Sequence, residues 1–514
     1  MSAPIASTTQ GKVEGIEKLD CLQFRGIPFA APPVGDLRWK LPKPHPSWDG
    51  VRDATEFGPI CHQVAGTMEQ LGGDRQAEPD PQSEDCLTLN VFTPGVDDSK
   101  RPVMVWIHGG GFSTGSGRVP WYSAHNFARD GVVAVTINYR INAFGFLHLE
   151  ELFGPEFAHS GVCGIADQVA ALQWVADNIA NFGGDPGNVT IFGESAGGMS
   201  VGTLLATPGA KGLFSKAIPQ SGAAHATNSQ EIATRIAKKF CTYVAVSPGD
   251  ADSLSALTAD QLLDAVNRFG AGLATDNAEI FGGDFAGFAM PFQPVWGSDV
   301  LPTAPIEALQ QGAGTGVATL VGTTLEEWKL FTLMLGEDSL RTRAVRPLRN
   351  LCARAGRSVD DVIATYEEKI GGSSELDLRN ALETDRNFRI PAIRLAEAQV
   401  SNATPTWMYR FDWKTPAFGG RMGACHALEI PFVFDNLDAP GVDIFTGGAA
   451  PQSLATNMHA AWVAFARTGD PNTSELPDWP GYDIDRRATM LLDSEPAVAD
   501  DPDGKLRALW DGLQ

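Results

Sequence analysis

Residues 188–206, NVTIFGESAGGMSVGTLLA, decide how the rest of the chain is read. Val189 to Phe192 is an apolar, partly β-branched run of strand type, and the small residues after Ser195 lead into a helix-forming stretch. Between them Gly193, Glu194, Ser195, Ala196 and Gly197 match G-x-S-x-G. A strand, a sharp turn and a helix in that order lift a serine hydroxyl clear of a sheet and set it at the positive end of the helix. Gly193, Ala196 and Gly197 are small enough to let the strained turn close. The pattern recurs at Gly111, Ser113 and Gly115, but that copy follows another glycine run and opens no helix. Ser195 is therefore the candidate nucleophile.

Outward from this stretch the same kind of strand returns at residues 102–111 (PVMVWIHGGG), 132–140 (VVAVTINYR), 317–324 (VATLVGTT) and 406–413 (TWMYRFDW). Helical patterns lie between them: Val169, Leu172, Val175, Ile179 and Phe182 fall at spacings of three and four. Strands alternating with helices predict an α/β fold whose mostly parallel sheet is covered on both faces. Residues 230–394 are richer in charge and helix formers and read as a cap-like helical insertion. It is broken around 275–288 and interrupted by a core strand near 317–324. No Pro-rich or Gly/Ser-rich linker divides the chain, so residues 1–514 read as one interleaved catalytic domain.

With 514 residues, 43% hydrophobic and 20% charged, the chain can bury a large core and is not disordered. A net charge of −23 repels phosphate backbones and anionic lipid, so no nucleic-acid partner is expected. The apolar runs are too short to span a bilayer, and no membrane insertion is expected. The first twenty residues lack a basic start followed by an apolar run, which points to a cytoplasmic location, with secretion open if the chain is a processed form. The seven cysteines are scattered without a CxxC pair, so neither a metal nor another cofactor is implied.

A serine hydroxyl needs a base, and the base needs an acid to orient it. In α/β-hydrolase chain order the acid and then the histidine follow the nucleophile. After Ser195 only His225, His426 and His459 remain. His225 leaves too little chain for an acid-bearing strand, and His459 lies on a helical pattern. His426, in a glycine-containing loop after residues 406–413, is the candidate base. The acid should follow residues 317–324, where Glu326 and Glu327 are adjacent; residue types alone do not choose between them. His108 opens a glycine run after a buried strand, and the N–H groups of Gly110, Gly111 and Ala196 are the candidate donors to a tetrahedral oxyanion. Trp328, Phe331 and Phe112 are candidates for the pocket wall.

Together these residues resemble the type-B carboxylesterases, the α/β-hydrolase family of the bacterial para-nitrobenzyl esterases and the cholinesterases. The likeness spans almost the whole chain, through FRGIPFAAPPVGDLRWKLP, EDCLTLNVFTP, VWIHGGGFSTGS, NFGGDPGNVTIFGESAGG, GLFSKAIPQSG, LVGTTLEEW and GACHALEIPFVF. It implies a serine carboxylesterase acting on a small-molecule ester through an acyl-enzyme, with Glu327 as the acid. It also implies that Ser221 supports the triad, that Glu194 adds negative potential to the pocket, and that Cys61 and Cys86 pair in the family's first disulfide. Residues 62–85 contain no aromatic side chain, whereas cholinesterases carry there a tryptophan that holds the quaternary ammonium. A choline-selective enzyme is thus disfavoured. An amidase or peptidase on the same machinery, and a non-catalytic adhesion protein, are the alternative readings; triad integrity speaks against the second.

Overall fold

A computed structural model of the chain describes residues 3–64, 80–281, 290–335, 352–353, 356–371 and 374–513. Its main sheet has eleven strands among these residues. In chain order they are β1 (Ile16–Lys18), β2 (Cys21–Pro28), β3 (Thr88–Thr93), β4 (Arg101–Ile107), β5 (Val133–Ile137) and β6 (Gly184–Glu194). They continue as β7 (Lys216–Gln220), β8 (Ala318–Thr324), β9 (Thr406–Phe411), β10 (Ala488–Leu492) and β11 (Ala497–Asp500). Across the sheet they run β11-β10-β9-β8-β7-β6-β4-β5-β3-β2-β1. The seven strands from β10 to β5 pair in parallel, and antiparallel pairs close both edges. This is the mostly parallel sheet that the alternation predicts, in the α/β-hydrolase arrangement that the resemblance implies.

The central strands lack a polar face because both faces are covered. On β4, Val103, Val105 and Ile107 enter one hydrophobic cluster, while Met104 and Trp106 point through the sheet into a second. Helix α1 (Cys163–Asn178) supplies Leu172 and Val175 to the first cluster. Helices α2 (Ala196–Leu204) and α3 (Ala259–Phe281) follow in the chain. Helix α4 (Gln452–Thr468) brings Met458, Trp462 and Phe465 to the second cluster. His459 lies on α4 and is buried, as its helical pattern predicts; its Nδ1 is 2.8 Å from the Val433 carbonyl.

The break expected at 275–288 comes later than its first residue. Helix α3 continues to Phe281, and residues 282–289 lie outside the described part. So do 65–79, which make up most of the aromatic-free segment, and 336–351 of the cap-like region. Among the described residues no helix is long and apolar enough to cross a membrane.

Candidate active site

Ser195 stands between β6 and α2 with φ 56° and ψ −124°, a conformation that costs a non-glycine residue energy and persists only where its surroundings enforce it. Two observations show the enforcement. The Ser195 N–H donates to the carbonyl of Gln220, at the end of β7, over 3.0 Å. Gly193 and Gly197 lie against β4: a Cβ at Gly193 would fall 2.5 Å from the Ile107 oxygen, and one at Gly197 only 2.0 Å from it. The helix can therefore start directly over the neighbouring strand, and the serine sits at the carboxyl end of the parallel sheet, where ligands bind in such folds.

Strand β8 ends at Thr324, and the next loop carries the two glutamates. Glu327 is fully buried and Glu326 only partly so. Glu327 Oε1 accepts the Thr324 N–H at 2.8 Å, and its Oε2 lies 2.6 Å from His426 Nδ1. A carboxylate facing Nδ1 keeps the proton on that nitrogen and leaves Nε2 bare. The Nε2 atom, buried at the other end of the ring, is 3.1 Å from Glu194 Oε1, outside hydrogen-bond alignment. The Ser195 hydroxyl makes no hydrogen bond among the described residues. The structure thus joins Glu327 to His426 and sets His426 beside the residue preceding Ser195.

The glycine run lies against the same turn. A Cβ at Gly109 would come within 3.1 Å of the Ser195 Cβ. Gly110 and Gly111 have φ of 105° and 61°. Among the described residues the N–H groups of Gly110, Gly111 and Ala196 donate to no backbone acceptor, so three amides near Ser195 are left without internal partners. His108 itself faces away: it stacks on Tyr139 with centroids 4.4 Å apart, and burial lowers its pKa to about 4.

The site is strongly acidic for so buried a place. Burial, and then the Glu327 charge, hold the Glu194 carboxyl well above the usual range. Glu429, three residues beyond His426 and fully buried, is pushed up to about 8 by burial first and then by Glu194 and Glu327. Its Oε1 is 3.3 Å from the Gln220 amide nitrogen, and its Oε2 has no partner among the described residues. Glu429 escapes a motif reading; a lone carboxylate inside the apolar run ALEIPFVF was its signal.

Aromatic rings surround the imidazole. The Phe331 centroid lies 5.2 Å and the Phe388 centroid 4.7 Å from that of His426, and the two phenyl planes are 4° apart. Phe388 was not anticipated: it projects from one π-helical turn, Asp385–Arg389, and such turns often mark functional places. Trp328 packs on Phe331 at 4.9 Å but is itself buried. Phe112 does not line the pocket. Its φ of 57° turns it inward, where it is fully buried against Phe146 at 5.2 Å.

Ser221 is buried, with φ 45°; its N–H donates to Gly322, while its hydroxyl has no partner among the described residues. Cys61 and Cys86 are buried neighbours in the thiol form, and the Cys61 thiol, together with burial, raises the Cys86 pKa. His225 is exposed. No group of three or more metal-ligating side chains occurs among the described residues.

The carboxylesterase family model matches residues 2–510. The chain belongs to the carboxylesterase family. It is 39% identical to the para-nitrobenzyl esterase of Bacillus subtilis (strain 168), over 99% of this chain and 98% of that protein. It is 35% identical to carboxylesterase 1D of Rattus norvegicus, over 100% of this chain and 94% of that protein. The crystal structure of a Geobacillus stearothermophilus carboxylesterase superposes with a TM-score of 0.86 at 41% identity, over 99% of this chain and 100% of that one. This carboxylesterase is a carboxylic ester hydrolase.

Proposed function

We propose that this carboxylesterase hydrolyses small-molecule esters by acyl transfer to Ser195, with His426 as general base and Glu327 as its orienting acid. The observation that carries the reading is the buried 2.6 Å contact between Glu327 Oε2 and His426 Nδ1, which leaves Nε2 to take a proton. His426 Nε2 removes the Ser195 Oγ proton as Oγ bonds to the ester carbonyl carbon. The negative charge on the carbonyl oxygen is taken up by the N–H groups of Gly110, Gly111 and Ala196, each such donor contributing on the order of a hundredfold or more in rate. When the intermediate collapses, the carbon–alkoxide bond breaks, the proton passes from Nε2 to the leaving alcohol, and an acyl-serine remains. Water, deprotonated by the same imidazole, then displaces Ser195 and releases the acid.

The aromatic surround of Phe331 and Phe388 favours esters with an apolar group beside the reacting carbon. Glu327 stabilises the imidazolium formed in the transition state, while burial favours the neutral, protonated form of Glu194 and Glu429 beside it. The test is Ser195→Ala with p-nitrophenyl esters of increasing acyl length. The expected outcome is a loss of kcat of at least ~10³-fold and of the p-nitrophenol burst, with the fold retained. A folded Ser195→Ala protein that keeps its rate overturns the reading.

A further inference from the structure

Residues 325–327 and 424–426 run side by side, joined by three hydrogen bonds. The Glu326 N–H donates to the Ala424 carbonyl over 2.9 Å, and the His426 N–H donates to the Glu327 carbonyl over 3.3 Å. Between them the Ala424 N–H donates back to Glu326 Oε2 over 3.0 Å. The Glu326 side chain thus replaces the backbone carbonyl that would continue the ladder. Its other oxygen is held 2.7 Å from Lys329 Nζ, with Lys414 Nζ at 3.9 Å. Gly423 makes the approach possible: its φ is 56°, and a Cβ there would lie 2.0 Å from Glu326 Oε2.

The two adjacent glutamates therefore point in opposite directions. Glu327 faces inward to the imidazole ring, whereas Glu326 faces outward to two lysines and grips the backbone two residues before His426. We infer that Glu326 is a positioning residue for the reaction: by clamping the loop at Ala424 it fixes where the His426 ring stands relative to Glu327 and Ser195. It touches no reacting atom. The clamp matters because the loop is glycine-rich, with Gly419, Gly420 and Gly423 all at positive φ. Such a segment keeps a catalytic ring in register only if something else pins it, and misplacement by about 1 Å costs on the order of a hundredfold in rate.

This inference rests on His426 being the base, so the experiment includes a control for that reading. Wild type, Glu326→Ala, Glu326→Gln, Gly423→Ala and His426→Ala are compared for kcat and KM with p-nitrophenyl butyrate, alongside their melting temperatures. Glu326→Ala should lose roughly 10- to 100-fold in kcat with KM within about twofold. Glu326→Gln keeps an oxygen for the Ala424 N–H and should recover to within about fivefold of wild type. Gly423→Ala, which drives a methyl group into the clamp, should lower kcat in the same way and serves if Glu326→Ala fails to fold. A folded Glu326→Ala or Gly423→Ala protein with wild-type kcat overturns the inference, as does Glu326→Gln falling as far as Glu326→Ala. His426→Ala retaining wild-type kcat overturns the triad reading instead.

Discussion

Gly197 has no side chain because Ile107 leaves no room for one. With a Cβ placed 2.0 Å from a backbone oxygen on one side and 3.0 Å from the His108 carbonyl carbon, neither neighbour can yield as a flexible side chain would. Gly197→Ala should destabilise the protein by about 2–3 kcal/mol and displace the elbow, read as a lower denaturation midpoint together with lost activity. Glu429 makes a second prediction at this scale. Its folded pKa of about 8 lies above the ordinary carboxylate value, so the folded state binds the proton more tightly than the unfolded chain does. The stability this contributes is fully present at acid pH below the unfolded pKa and is lost as pH rises through about 8. Glu429→Gln cannot ionise, so its melting temperature should fall less than that of wild type between pH 5 and 8. Sequence spacing proposes Ser195 and His426, yet it leaves Glu326 and Glu327 level, because both are carboxylates and one residue of register decides which faces inward. Phe112 shows the same limit: the sign of φ that turns it into the core is not written in residue type.

Single turns and strands were unequally legible. β4, β6, β8 and β9 could be read off as apolar runs because a strand covered on both faces needs no polar alternation. The π-helical turn at Asp385–Arg389 could not, since its residues DRNFR fit an ordinary helix equally well. Its extra residue per turn swings Phe388 over His426, and the Arg389 Nε contact to Asp385 Oδ1 at 2.6 Å braces it. Removing the ring should be costly. Phe388 is 4% exposed, so Phe388→Ala is expected to lower unfolding stability by about 3 kcal/mol and kcat/KM for aryl esters along with it. Phe388→Leu should keep most of the stability. Just before this turn, helix Glu375–Thr384 begins with a reciprocal capping box between Ser374 and Asp377. Ser374→Ala should lower stability by about 1 kcal/mol without touching KM, which denaturation and steady-state kinetics would show together.

At the scale of the whole molecule, a charge of −23 is the property read most easily and used least by the site. Self-repulsion on that scale is screened by salt, and raising NaCl from about 10 to 150 mM should raise the melting temperature. The buried Arg140–Asp167 pair, at 2.7 Å, responds differently because water and ions do not reach it; Asp167→Asn should cost about 3–5 kcal/mol at any ionic strength. The strand order has a consequence in time as well. Ser195, Glu327 and His426 hang from β6, β8 and β9, and β7 lies between β6 and β8. No two neighbouring segments of chain suffice to bring them together; four parallel strands must first find one another across long separations, a slow class of pairing. During refolding, ester hydrolysis should accordingly return later than tryptophan fluorescence, making turnover itself a clock for closure of the sheet.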